Sequence, residues 1–429
     1  MRRLILLVLA ASLSAAGLSA CGGVGGKDTV NIILENHPWT RAITEYLGDF
    51  QKQTGIKANV QLYSEEQSRN KILVTLQSHS PGLDVFMSLP SLEGRQYEQA
   101  GYYQRLDSYA EKAPKSYRFG DFSAVPLSGE RVGGKLIGIP INVEGPVIFY
   151  RTDLFKKYGI ALPRSISEVV AAAKTVEQKS HGEVYGLAGR GLDTALAYTF
   201  GPFLRSEGLS WVDSSGKPNF DKPGAVRAIS NYATLVGKYG PPGAVSNSFT
   251  QSSALFAQGK VAMELESTNE ISSIDDPDSS HAAGHIGVMT IPRGSAPPVP
   301  TVLQWGLSMS RFGAHQDNAW KFIQWATSPQ MQLKLALKGI ASPRKSTASM
   351  PAYKSQLNTA GQRQWSAALQ SVVAHGSAQV GPPAVEQAPV RKLLGDEIDK
   401  VILGDSTAAQ AAAAIQKGLT PFVSTGDGS

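Results

Sequence analysis

The sequence predicts an α/β protein of two or three domains, and three observations carry that reading. Short β-type runs alternate with amphipathic helical stretches from residue 29 onward, which is the pattern of sheets covered by helices on both faces. At 429 residues the chain is too long for one domain of about 150 residues. Past the N-terminal leader there is no second long apolar run, so no membrane-crossing helix of about 20 apolar residues is expected there.

The leader is read first and set aside. Arg2 and Arg3 precede an apolar or small stretch from Leu4 to Leu18, which ends in Leu18-Ser19-Ala20-Cys21 and runs on into Gly22-Gly23. The run is too short to span a bilayer comfortably. Its end resembles the bacterial lipobox. The resemblance implies a lipoprotein signal peptide over 1–20, lipidation of Cys21 and an extracytoplasmic chain anchored to the cell membrane. Cys21 is the only cysteine, so no intramolecular disulfide can form. Two or three acyl chains anchor stably where one does not. Residues 21–28 are Gly-rich and read as a flexible tether. The net charge of +6 falls to about +4 without Arg2 and Arg3. Basic residues are scattered, which gives nucleic-acid binding no support.

The elements follow in order. Thr29 to Leu34 is a β-type run. Ile43, Tyr46, Leu47 and Phe50 lie at helical spacing, with Gly55 as a stop. Ile56 to Tyr63 and Leu83 to Met87 are further β-type runs, with a helix around Lys71 to Gln77 between them. Ser165-Ile-Ser-Glu168 has capping-box spacing ahead of a helix that buries Ile166, Val169, Val170 and Ala173. A helix edge followed by strands is expected over 255–263 and 285–291, a helix over 318–326, and a helical tail over 389–421. The alternation predicts parallel sheets.

Enzyme signatures are absent: there is no Gly-x-Ser-x-Gly, P-loop, complete Gly-x-Gly-x-x-Gly or His-Glu-x-x-His. His281 and His285 have a helical metal spacing, but Gly284 between them and Pro277 before them argue against a regular helix. Asp275, Asp276 and Asp278 read as a solvated turn. No catalytic residue, metal ligand or cofactor is assigned.

The informative segment runs from Gly138 to Phe155, with Pro140, Glu144, Tyr150, Asp153, Leu154 and Phe155. It resembles the family 1 extracellular solute-binding proteins of bacterial ABC importers, the maltose-binding-protein-like sugar and polyol binders. Further matches follow in order at Asp84 to Ser91 with Ala100 to Asp107, Tyr198 to Gly208, Phe256 to Glu266, Trp305 to Ser310 and Ala341 to Arg344. The resemblance covers nearly the whole chain after the leader. It implies a two-lobed periplasmic-binding-protein-like fold (type II) with ligand in the inter-lobe cleft. The N-lobe would use 29–142 plus 289–345, and the C-lobe 146–286 plus 346–429. It also implies a monomer that captures a sugar, oligosaccharide or polyol, closes on it, and delivers it to ABC permease subunits in the membrane.

The same resemblance implies ligand contacts at Ser88, Ser91, Glu144, Tyr198, Glu266, Asn269 and Arg344. A carboxylate such as Glu144 accepts from two hydroxyls at once, and more strongly than a neutral acceptor. Two departures keep the ligand open: Arg151 follows Tyr150 where Asn is common, and Ser88 and Asn269 stand where maltose binders have cleft tryptophans. Trp39 and Trp305 lie at strand ends beside polar neighbours, of which Asn36 and His37 are also expected to touch ligand. The two tryptophans are expected to stack on sugar C–H faces from opposite sides, whereas Trp320 and Trp325 pack a helix. Rival readings are a lipid-anchored glycan hydrolase, or the same fold binding glycerol phosphate, a metal chelate or a peptide. Arg151, Arg190 and Arg344 would favour the phosphate ester.

Overall fold

The computed structural model describes residues 26–423. Cys21 and the leader over 1–20 lie outside the described residues, as does most of the tether. Eleven strands stand among the described residues: β1 (Thr29–Glu35), β2 (Lys57–Tyr63), β3 (Val85–Ser88), β4 (Arg131–Val132), β5 (Lys135–Leu136), β6 (Gly138–Pro140), β7 (Pro146–Arg151), β8 (Tyr185–Gly189), β9 (Val261–Ser267), β10 (Ile286–Thr290) and β11 (Gly306–Met309). They build two main sheets, in the orders β2-β1-β3-β11-β6 and β10-β7-β9-β8, and a small β4-β5 ribbon. Helices cover both sheets, which gives the two-lobed α/β architecture.

The sheets are mixed rather than parallel. β1 runs parallel to β2 and β3, but β11 lies antiparallel between β3 and β6. In the second sheet only β8 and β9 run parallel. The reason is topological: the chain leaves the first lobe after β6 and returns from the opposite direction, so β11 enters against its neighbours. The return also moves one expected boundary. Met289 and Thr290, expected in the N-lobe, are the last residues of β10 and pair with Ile148 and Val147 of β7. The crossing therefore lies beyond Thr290.

Local chemistry explains the element ends. The expected helix over Ile43 to Phe50 is two helices, Pro38–Thr44 and Leu47–Thr54, and the second stops at Gly55 in the left-handed region with φ 75°. Ser64 and Gln67 form a full capping box for the helix Glu65–Gln77. At the helix Ile166–Lys179 only half of the expected box forms. Ser165 accepts from the Glu168 amide, but the Glu168 carboxylate turns to the amide of Arg164.

Each lobe has its own core. Val30, Ile32, Leu34, Phe50, Val85, Leu307 and Phe322 pack together in the first. Ile148, Leu187, Phe200, Phe203, Tyr232 and Leu265 do so in the second, where the helix Asp193–Ser206 packs on the late helix Gln387–Leu403. Residues at the ends of strands in both lobes and on these helices face one cleft.

Candidate functional site

Two chain passes lie antiparallel at the base of the cleft. The amides of Glu144 and Leu303 exchange bonds with each other's carbonyls at 2.8 Å, and Ile141 N–H donates to the Trp305 carbonyl at 2.8 Å. A third segment joins them through Ser377, whose carbonyl accepts from Val302 N–H at 2.8 Å. Gly145 follows from this crowding. A Cβ there would stand 2.5 Å from the Thr301 carbonyl oxygen and from Val372 Cγ1, so only glycine lets the passes approach.

Glu144 is the centre of this crossing. Its Oε1 accepts from the Trp305 indole N–H at 3.0 Å. Its Oε2 accepts from the Ser267 hydroxyl and from Asn269 Nδ2 at 3.1 Å. His37 Nε2 stands 3.8 Å from Oε1. His37 Nδ1 accepts from the Trp39 amide at 3.1 Å, which leaves the proton on Nε2, facing Glu144. Burial pushes the Glu144 carboxyl up, but His37 and the Ser267 hydroxyl outweigh it and hold the carboxyl below its usual value. The ion therefore joins residues of both lobes while still facing the cleft.

The cleft encloses about 860 Å³. Of the residues expected to touch ligand, Asn36, His37, Glu144, Tyr198 and Trp305 line it. The others stand elsewhere. Trp39 is fully buried in the first lobe's core, because the helix Pro38–Thr44 turns its ring onto the sheet. It is not the opposite jaw to Trp305. Ser88 is buried and shares a 2.7 Å hydroxyl pair with Ser308. Ser91 lies on the turn after β3, outside the cleft lining, with its hydroxyl buried. Asn269 sits one layer back, behind Glu144. Glu266 is spent on Arg190, accepting from Nε at 2.8 Å and Nη2 at 2.5 Å. Arg344 is a core residue: it donates to the carbonyls of Thr327 at 2.7 Å and Arg118 at 2.9 Å and covers the Phe122 ring at 4.0 Å. Arg151 pairs with Asp153 at 2.6 Å and does not line the cleft. Of the three arginines weighed for a phosphate ester, only Arg190 does.

The cleft also holds charged residues that carry no motif. Arg69 lies between Glu65 at 2.8 Å and Glu93 at 3.0 Å, its guanidinium 5.5 Å over the Trp305 ring. Arg190 covers the Tyr198 ring at 4.6 Å. Glu270, bonded by the Ser253 hydroxyl at 3.1 Å, is pushed up to about 7 by burial and then by Glu266. Glu35 is raised by burial and then by Glu65. Arg391, from the helix Gln387–Leu403, completes the wall. Helical periodicity marks Arg69 and Arg391 only as polar positions, and nothing local separates a solvated arginine from one that faces a cleft.

Comparison with known proteins bears on this arrangement. The family described as bacterial extracellular solute-binding protein matches residues 36–333. A mannitol-binding protein of Pseudomonas aeruginosa is 30% identical over 222 residues, and the chain spans about half of it, 50% of each sequence. An erythritol/L-threitol-binding protein of Mycolicibacterium smegmatis is 25% identical over 373 residues, 77% of each. Among solved structures, a solute-binding protein of Agrobacterium vitis with bound D-mannitol has TM-score 0.76 and 26% identity, covering 92% of this chain and 97% of that one. A solute-binding protein of Agrobacterium radiobacter in complex with ribitol has TM-score 0.81 and 22% identity, covering 92% and 98%; this last likeness bears on the fold alone. The match of the family model over most of the chain makes this protein a member of the bacterial extracellular solute-binding proteins, a binding protein rather than an enzyme.

Proposed function

We propose that this chain captures a sugar, a short oligosaccharide or a polyol between its lobes and, once closed, presents it to the permease of an ABC importer. The observation that carries the reading is the cleft itself. About 860 Å³ is bounded by both lobes and floored by an ionised Glu144 tied to each of them. A ligand that contacts both walls favours the closed form by its differential contacts. The mannitol and erythritol binders among the relatives support the same ligand class.

A thermal-shift screen of the domain against sugars, polyols and phosphate esters tests the reading. A ligand at 100 times its Kd adds about 2.7 kcal/mol of stability, and it should be recovered unchanged. Stabilisation by glycerol phosphate alone would shift the reading to a phosphate ester, and no stabilisation by any sugar or polyol would reject it.

Anchoring at Cys21 by lipid completes the proposal, since a tethered receptor stays near its permease. Cys21→Ser should release the protein to the soluble fraction or leave an unprocessed precursor. Mass spectrometry of mature protein that finds an unmodified Cys21 would refute the anchor.

A further inference from the structure

Two aromatic rings of the cleft, Trp305 and Tyr198, are already covered. A pyranose binds by laying its C–H face on an open ring. Trp305 is 6% exposed and Tyr198 2%. Arg69 lies 5.5 Å over Trp305, and His37 tilts against the same ring at 5.6 Å. Arg190 covers Tyr198 at 4.6 Å and Phe249 at 5.7 Å. Both guanidiniums are held by carboxylates. Arg69 is clamped between Glu65 and Glu93, and Arg190 is bonded three times by Glu266.

The polar inventory is unbalanced in the opposite sense. Arg391 is 7% exposed and lines the cleft, yet it makes no hydrogen bond or ion pair among the described residues, and its Nε and Nη2 are sealed from solvent. The Tyr198 hydroxyl is likewise buried without a partner. Buried polar groups are seldom left unpaired, and a buried cation costs most when it is. Burial pulls Arg391 down to about 9, so it stays protonated at neutral pH and needs an acceptor. The side of a guanidinium that carries Nε and Nη2 is a fixed fork that suits two neighbouring oxygens.

We propose that this cleft selects open-chain polyols over ring sugars, and that Arg391 is a specificity-determining residue that donates to two adjacent hydroxyl oxygens of the bound polyol. The inference rests on the solute-binding reading above. An open-chain polyol has no flat apolar face to stack, carries a hydroxyl on every carbon, and meets a wall that includes the polar side chains of Glu35, His37, Arg69, Glu144 and Arg391.

Calorimetry of wild type, Arg391→Met and Arg391→Lys against D-mannitol, ribitol, D-glucose and maltose tests it. Wild type should bind at least one of the two polyols 10-fold or more tighter than either ring sugar. Arg391→Met should weaken that polyol 10-fold or more and leave the melting temperature of the unliganded protein unreduced. Arg391→Lys should recover part of the loss. Tighter binding of glucose or maltose would overturn the inference and leave the solute-binding reading standing. Polyol binding unchanged in Arg391→Met would remove Arg391 from recognition and overturn its part in the inference. Tighter binding of D-gluconate than of D-mannitol, lost in Arg391→Met, would overturn the neutral polyol in favour of an anion. Binding of none of these compounds would overturn the inference and leave the solute-binding reading to the wider thermal-shift screen.

Discussion

Trp305 donates its indole N–H to Glu144 Oε1 across 3.0 Å, and this bond joins the two chain passes that connect the lobes. Ser267 and Asn269 of the second lobe hold the other oxygen of the same carboxylate. A residue expected from its sequence context to be a ligand acceptor is therefore also the fastener of the crossing. Removing it acts on binding and on stability together.

Glu144→Ala should lower affinity for the cognate solute 10-fold or more and also lower the melting temperature. It strands Trp305 Nε1 and Asn269 Nδ2, and each buried donor without a partner costs about 1–3 kcal/mol. Glu144→Gln preserves the shape and should keep more of both properties. Calorimetry and a melting curve on the same preparations decide the matter. Unchanged values for Glu144→Ala in both would show that the crossing does not depend on the carboxylate.

The two strand-end tryptophans should behave oppositely. Trp39→Ala empties a fully buried site and should cost about 3–5 kcal/mol of stability. Trp320 belongs to the same core, and Trp320→Ala should resemble Trp39→Ala. Trp305→Phe should spare stability by comparison, weaken solute binding and abolish most of the ligand-induced change in tryptophan fluorescence. A fluorescence response that survives in Trp305→Phe and vanishes in a folded Trp39→Phe would reverse the assignment.

Stability should fall as pH rises from about 4.5 to about 7, in part through Glu270. Burial, then Glu266, raises its pKa from 4.5 to about 7. Between those values the folded state holds a proton that the unfolded chain has released, so unfolding is favoured progressively as pH rises and levels off above about 7. Ser253, Ser273, Glu264, Glu266, Glu144 and Arg190 are the groups around it. Glu270→Gln carries no proton to lose. Its advantage over wild type should be small at pH 4.5 and grow to at most about 3 kcal/mol at pH 8. Urea unfolding across that range measures it, and a constant difference would remove Glu270 as the source.

Arg190 and Glu266 should prove stabilising only as a pair. Arg190→Ala leaves the carboxylate of Glu266 fully buried without its three bonds, at a cost of about 3–5 kcal/mol. Arg190→Met combined with Glu266→Leu should recover much of that loss, because an apolar pair of similar volume needs no compensation. Chemical denaturation of the single and double variants tests the coupling. A single variant as stable as wild type would show the pair to be dispensable.

The alternation of strands and helices was legible because its periods of 2 and 3.6 residues are local. β1 and β2, Gly55 as a stop and Ser165 as a cap are read from a few neighbouring side chains each. Glu144, Tyr198 and Trp305 were also legible as cleft residues, since each lies in a segment that resembles the family's pattern, and Asn36 and His37 were legible as polar residues at the end of the first β-type run. The direction of β11 was not legible: strand runs carry no mark of which way the chain enters a sheet, and that depends on the crossing from the other lobe. The contrast between Trp39 and Trp305 was hidden for a similar reason. Both follow or begin strands beside polar residues, and only the packing of the helix Pro38–Thr44 on its sheet turns one ring inward. Arg69 and Arg391 lie on helices of opposite lobes, far apart in the chain. A guanidinium on a helix face looks the same in sequence whether water or a cleft lies before it, so their facing one cleft depends on how the two lobes pack around the shared crossing.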